Sequence, residues 1–194
     1  MMRRILRLLA CGAVVLSLVA CTPTGRAVGD TQDSMPSVAH DSTHKTDITV
    51  GFVGSTDTAA DKKAIDALAD DTLNVYYASL DTSGDSETAD KIAATAQQGV
   101  TDFVDRAVKI VIISGIDVTD ANRDSWNQAL TNVREAGIPV ALLNPKHAPE
   151  DELLYAAILN TDDAASAKSV SIADAVITIA RDEPHDRTIA VATE

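Results

Sequence analysis

The sequence predicts an α/β fold built on a doubly wound parallel sheet. Three observations lead there. From Asp47 onward, short β-branched runs alternate with amphipathic stretches. Residues 108–113 are almost continuously β-branched, the profile of a strand buried on both faces. The chain has 194 residues, 45% of them apolar, which suits one ordinary domain with a real core. Aromatics are only 3%, so aliphatic side chains must fill that core.

The elements follow in order. Residues 48–53 read as a first strand and 58–70 as a helix with Ile65 and Leu68 turned inward. Residues 73–80 read as a second strand. A polar loop at 81–85 follows, and Ser86 is placed to cap a helix reaching about Arg106. Ile92, Ala96, Val100, Phe103 and Val104 share one face of that helix. Gly99 lies inside it and should cost about 1 kcal/mol relative to alanine. After the strand at 108–113, a helix at 121–136 turns Trp126, Ala129, Leu130 and Val133 inward, and Gly137 supplies its left-handed stop. Residues 138–143 form the fourth strand, with Pro139 tolerated at its start. A fifth strand is expected at 153–159, a last helix at 163–181, and a further strand from Thr188.

Residues 1–20 differ in kind. Arg3, Arg4 and Arg7 precede an apolar stretch at 8–20, shorter than the roughly 20 residues of a membrane span and typical of a secretory signal. It ends Leu18-Val19-Ala20-Cys21, which resembles the bacterial lipobox. That resemblance implies cleavage before Cys21, lipidation of its thiol and an extracytoplasmic, membrane-anchored location; two acyl chains of the palmitate kind hold such an anchor stably. Residues 21–46, rich in Ser, Thr, Asp, Gly and Pro, are expected to be a flexible tether. His40 and His44 are read as solvated linker histidines. The domain proper is expected at 47–187.

The formal net charge of −13 argues against a nucleic-acid surface and against electrostatic binding to anionic lipid. Two cysteines cannot form a disulfide scaffold. The sequence offers no metal-ligand cluster, no catalytic triad and no phosphate-cradling glycine turn, so neither enzyme activity nor a cofactor is expected. His147 and His185 read as isolated surface histidines.

In doubly wound sheets ligands bind at the carboxyl ends of the strands. The residues there are Ser55, Thr56 and Asp57, then Asp117, Asn144, Thr161 and Asp162. Such hydroxyls, amides and carboxylates suit a sugar hydroxyl, which needs a donor and an acceptor together. Each is also a good helix cap. The expected ligand set is these seven residues.

Residues 110–117, 134–140 (Arg-Glu-Ala-Gly-Ile-Pro-Val) and 155–165 (Tyr-Ala-Ala-Ile-Leu-Asn-Thr-Asp-Asp-Ala-Ala) resemble the first lobe of type I periplasmic sugar-binding proteins, solute receptors of ABC transporters related to ribose and galactofuranose receptors. The resemblance implies a Rossmann-like lobe, a small solute such as a sugar, and an ABC permease partner. It also implies a second lobe. Residues 188–194 would begin that lobe, so the expectation is a truncated receptor with a loosely docked last strand and weak binding. Departures are Asn144-Pro145, where the family carries an acid, and Ser114-Gly115, where proline is common. The alternative is an interaction lipoprotein that keeps the fold as a scaffold.

Overall fold

A computed structural model describes residues 25–31, 44–80, 89–162, 165–166 and 168–193. The strands are β1 (Thr49–Val53), β2 (Asn74–Ala78), β3 (Ile110–Ser114), β4 (Val140–Leu143), β5 (Ala157–Asn160), β6 (Val170–Ser171) and β7 (Thr188–Ala192). The helices are α1 (Thr58–Asp70), α2 (Ala89–Asp105), α3 (Arg123–Glu135) and α4 (Ile172–Ala180). The described strands form one seven-stranded sheet in the order β2-β1-β3-β4-β5-β7-β6, and every pairing is parallel.

Strand alternation sorts the core onto two faces. Phe52, Ile112, Ala141 and Leu159 pack toward α1 and α4. Val111, Ile113, Val140 and Leu142 pack toward α2 and α3. β3 is buried along its whole length, as its composition predicts. The doubly wound parallel sheet is therefore present, with helices on both faces. No helix among the described residues is long and apolar enough to cross a membrane.

Helix and sheet approach closely where glycine permits it. A Cβ on Gly51 would stand 2.5 Å from the Phe103 ring, so Phe103 lies directly on β1. A Cβ on Gly99 would stand 2.9 Å from the Ala78 Cβ, which explains a glycine inside α2. Gly137, at φ +72°, ends the third helix as expected.

Several boundaries differ from expectation. The fifth strand begins only at Ala157, because the Asp151 side chain accepts from Leu153 N and folds residues Glu152–Leu154 into a 3-10 turn. The last helix begins at Ile172, where the Ser171 hydroxyl caps Asp174 N at 2.9 Å; β6 takes the two residues before it. The 81–85 loop and Ser86 lie outside the described residues, as does His40. The last strand is not loosely docked. β7 pairs with β5 from Ile158↔Thr188 to Asn160↔Ala190, and Val191 is fully buried. The expected flexible tether is also corrected in part. Residues 25–31 pack on the domain, with Ala27, Asp30 and Thr31 buried. They are fixed by side-chain contacts that composition does not reveal.

Gly51→Ala is expected to destabilise the fold by about 1–3 kcal/mol in urea unfolding, because the methyl group must displace Phe103. Phe103→Leu in the same chain should recover part of the loss.

Candidate functional site

All seven strand-end positions lie at the carboxyl edge, but the structure divides them. A hollow of about 650 Å³ opens on the α1 and α4 side, over the ends of β3, β4, β5 and β7. Asp57, Asn144 and Thr161 line it. Ser55, Thr56 and Asp117 line a smaller hollow of about 120 Å³ on the other face, against α2 and α3. Asp162 is exposed and lines neither; its N–H donates to Asn160 Oδ1 at 2.8 Å. Cys21 lies outside the described residues.

The larger hollow is built from turn chemistry. Asp57 caps α1, accepting from Ala60 N at 3.0 Å through one carboxylate oxygen. Its remaining lone pairs are acceptors toward the hollow. Asn144 adopts φ +45°, a left-handed conformation that asparagine tolerates better than most residues. Its side chain and Thr161 clasp each other: Asn144 Nδ2 donates to Thr161 Oγ1 at 2.7 Å, and Thr161 N donates to Asn144 Oδ1 at 2.9 Å. The clasp ties the ends of β4 and β5 together. Because Thr161 Oγ1 accepts in this bond, its own proton can serve another acceptor.

Three polar residues lining the larger hollow were not in the expected set. Ser114 ends β3 and borders both hollows. Thr193 enters because β7 joins the sheet. Lys63 brings an ammonium group to the same hollow as Asp57. Its signal was available in the spacing: Asp57, Ala60 and Lys63 or Ala64 recur every three to four residues along one side of α1. The hollow thus offers a carboxylate, an ammonium, an amide and three hydroxyls. That is a set for binding a polar solute. Among the described residues no group of three His, Cys, Asp or Glu side chains could hold a metal.

Asp61 holds the loop between β1 and α1. It is almost fully buried, and its carboxylate accepts from Ser55 N at 2.6 Å and from Ser55 Oγ at 3.0 Å. Ser55 Oγ in turn accepts from Asp57 N at 3.0 Å. A chain of bonds therefore runs from a core carboxylate to the loop that presents Asp57. Burial, and then the negative charge of Asp61, push the Tyr77 phenol above its usual 10.0. Gly115, at φ +61°, brings the turn after β3 against Ser55, where a Cβ would stand 3.1 Å from the Ser55 Cβ.

His147 is exposed, as expected, but it is not isolated. Its Nδ1 lies 2.7 Å from Asp117 Oδ1, and an isolated parallel bridge joins the same two residues. The pair straps the turn after β3 to the turn after β4. His185 is likewise engaged, with Nε2 2.8 Å from Gly29 O.

No family model matches the chain. The search of curated proteins found no match. Solved structures with a similar chain path include a galactofuranose binding protein, at 16% identity and TM-score 0.46, covering 74% of this chain and 56% of that one. A Mycobacterium smegmatis protein in complex with β-D-fucofuranose is similar at 16% identity and TM-score 0.47, covering 75% and 55%. The periplasmic binding protein component of the arabinose ABC transporter from Shewanella sp. ANA-3, bound to α- and β-L-arabinofuranose, is similar at 15% identity and TM-score 0.45, covering 73% and 54%. The chain spans about half the length of these three.

Asp61→Ala is expected to leave Ser55 N without its partner and to cost about 1–3 kcal/mol in urea unfolding, with faster amide exchange at Ser55 and Asp57. Tyr77 favours its neutral form in the folded state. Its contribution to stability is therefore full below pH 10 and is lost as pH rises through the higher folded value. Asp61→Asn should lower the Tyr77 midpoint in a phenolate absorbance titration; an unchanged midpoint would show that burial alone sets it.

Proposed function

We propose that this chain is the solute-binding lobe of an extracytoplasmic lipoprotein, anchored through Cys21, that presents a small polyhydroxylated molecule of the sugar class to an ABC permease. The supporting observation is the hollow at the carboxyl edge, where Asp57, Lys63, Ser114, Asn144 and Thr161 mix donors and acceptors over about 650 Å³. A sugar hydroxyl donates one hydrogen bond and accepts others, and this rim meets both needs. The lipobox-like Leu18-Val19-Ala20-Cys21 supports the anchor. The lobe binds and does not transform its solute.

Asp57 and Lys63 are exposed, so a solute held there keeps part of its hydration. Hydrogen bonds that exchange with water contribute only about 0.5–1.5 kcal/mol each, which places affinity near the millimolar range, about 4 kcal/mol in all.

Calorimetric titration of residues 22–194 with pentoses, hexoses and nucleosides should select one class. Asn144→Ala with Thr161→Ala should weaken that binding by about tenfold, roughly 1.4 kcal/mol. Binding that survives both substitutions unchanged would place the solute elsewhere. For the anchor, a clickable fatty acid fed to cells should label the wild-type chain; label that persists on Cys21→Ala would refute lipidation there.

A further inference from the structure

Residues 25–31 do not float. Asp30 is 4% exposed and pairs with Arg187, Nη1 to Oδ2 at 2.5 Å. The Thr31 hydroxyl donates to Asp182 O at 3.0 Å, and Arg134 Nη2 donates to Arg26 O at 2.9 Å. Gly29, at φ +79°, lies so close that a Cβ would stand 2.7 Å from Pro139 Cβ and 3.1 Å from Ile179 O. The second guanidinium nitrogen of Arg187 donates to Glu152 O, and the group lies 4.4 Å from the centre of the Tyr155 ring. Arg187 thus joins Asp30 to the body of the domain, alongside the bonds of Thr31, Arg134 and His185.

Every docking partner sits at one edge. Pro139 precedes β4, Arg187 precedes β7, Arg134 lies in the last turn of α3, and Ile179 and Asp182 lie at the end of α4. These are strand beginnings and helix ends, the N-terminal edge of the sheet. The hollow lies over the strand ends, at the opposite edge.

We propose that residues 25–31 are a docked strap that holds the N-terminal edge of the sheet against the bilayer surface and turns the hollow away from it. This rests on the anchor at Cys21 proposed above. The geometry follows from covalent reach. Gly25 is four residue steps from Cys21, a span of at most about 14 Å. A tether running freely to Asp47 would have 26 residues and reach about 90 Å, letting the domain tumble. With the strap docked, the lipid headgroups are the nearest surface for the N-terminal edge. The partner of that edge is the bilayer, while the hollow stays accessible to solute and to a permease reaching above the membrane.

The test couples the mature chain through Cys21, its one remaining cysteine, to a maleimide lipid in nanodiscs carrying a nitroxide-labelled headgroup lipid. Amide signals at Lys109, Gly137 and Arg187 should broaden several times more than those at Ser114, Asn144 and Thr161. In Asp30→Ala with Arg187→Ala that contrast should fall by about half or more, because the longer tether averages orientation. Arg187→Lys, which keeps the charge and loses the fork, is the milder variant should the double one unfold. Equal broadening at both edges of the wild-type chain would overturn the proposal, as would rapid exchange of the Ala27 and Gly29 amides. Chemical coupling keeps this test separate from the cellular labelling of Cys21: absence of label refutes the natural anchor and with it the biological role, whereas loss of the edge contrast refutes the strap alone.

Discussion

A parallel sheet covered on both faces has no place for polar side chains along its strands. In β3 all five residues are buried, and the first side chain that can hydrogen-bond is Ser114, the last of the strand. The same holds for β4, four buried aliphatic residues followed by Asn144. The backbone of each strand is satisfied by its parallel neighbours, so the side chains carry no polar duty until the ladder stops. Polar chemistry is thereby pushed to the strand ends, where α1 also begins with Asp57 as its cap. The hollow is a consequence of this constraint: it is the place where four neighbouring strands end and the polar residues emerge together.

The sparse aromatic content decides how tightly the layers fit. With few large rings, helices lie close to the sheet, and the contacts are made by Ala93, Ala96 and Val100 of α2 and by Ala64 and Leu68 of α1. Phe103 fits only because Gly51 lies beneath it. Close layers also explain why Asp61 is tolerated in the interior. A buried carboxylate is costly unless its acceptors are filled, and here Ser55 supplies both its N–H and its hydroxyl. The bonds that offset the burial also fix the loop on which Asp57 stands, so the electrostatic problem and the positioning of the site have a single solution.

Fold class and most elements were legible because each rests on local periodicity. Phe103 and Val100 recur at helical spacing, 108–113 reads as a buried strand, and Gly137 marks a helix end. What was not legible depends on distant partners. Nothing around Asp30 announces that Arg187, more than 150 positions later, will bury it. Nothing in Thr188–Ala192 says whether it will pair with β5. The division of the expected ligand residues between two hollows is likewise a matter of which face a helix covers. Ser55 and Asp57 are two residues apart, yet they line different hollows. Strand-end position is visible in sequence; the face on which a turn residue lands is set by the helices.

Parallelism has one more effect. Because all the described strands run the same way, every one begins at the same edge and ends at the other. An antiparallel sheet would mix strand starts and strand ends along each edge. Here the starts, with the C-terminal turns of α3 and α4, offer carbonyl oxygens such as Asp182 O and basic groups such as Arg134 and Arg187. The ends offer Asp57, Asn144 and Thr161. A segment arriving from the chain's N-terminal side finds its complement at the first edge: Thr31 donates to a helix-terminal carbonyl, and Asp30 meets a guanidinium. The hollow, with its mixed donors and acceptors, lies at the second. The two surfaces are separated by the length of the strands, so each can be occupied without disturbing the other. One topological property, strand direction, thereby sets the docked segment and the hollow at opposite edges of the sheet.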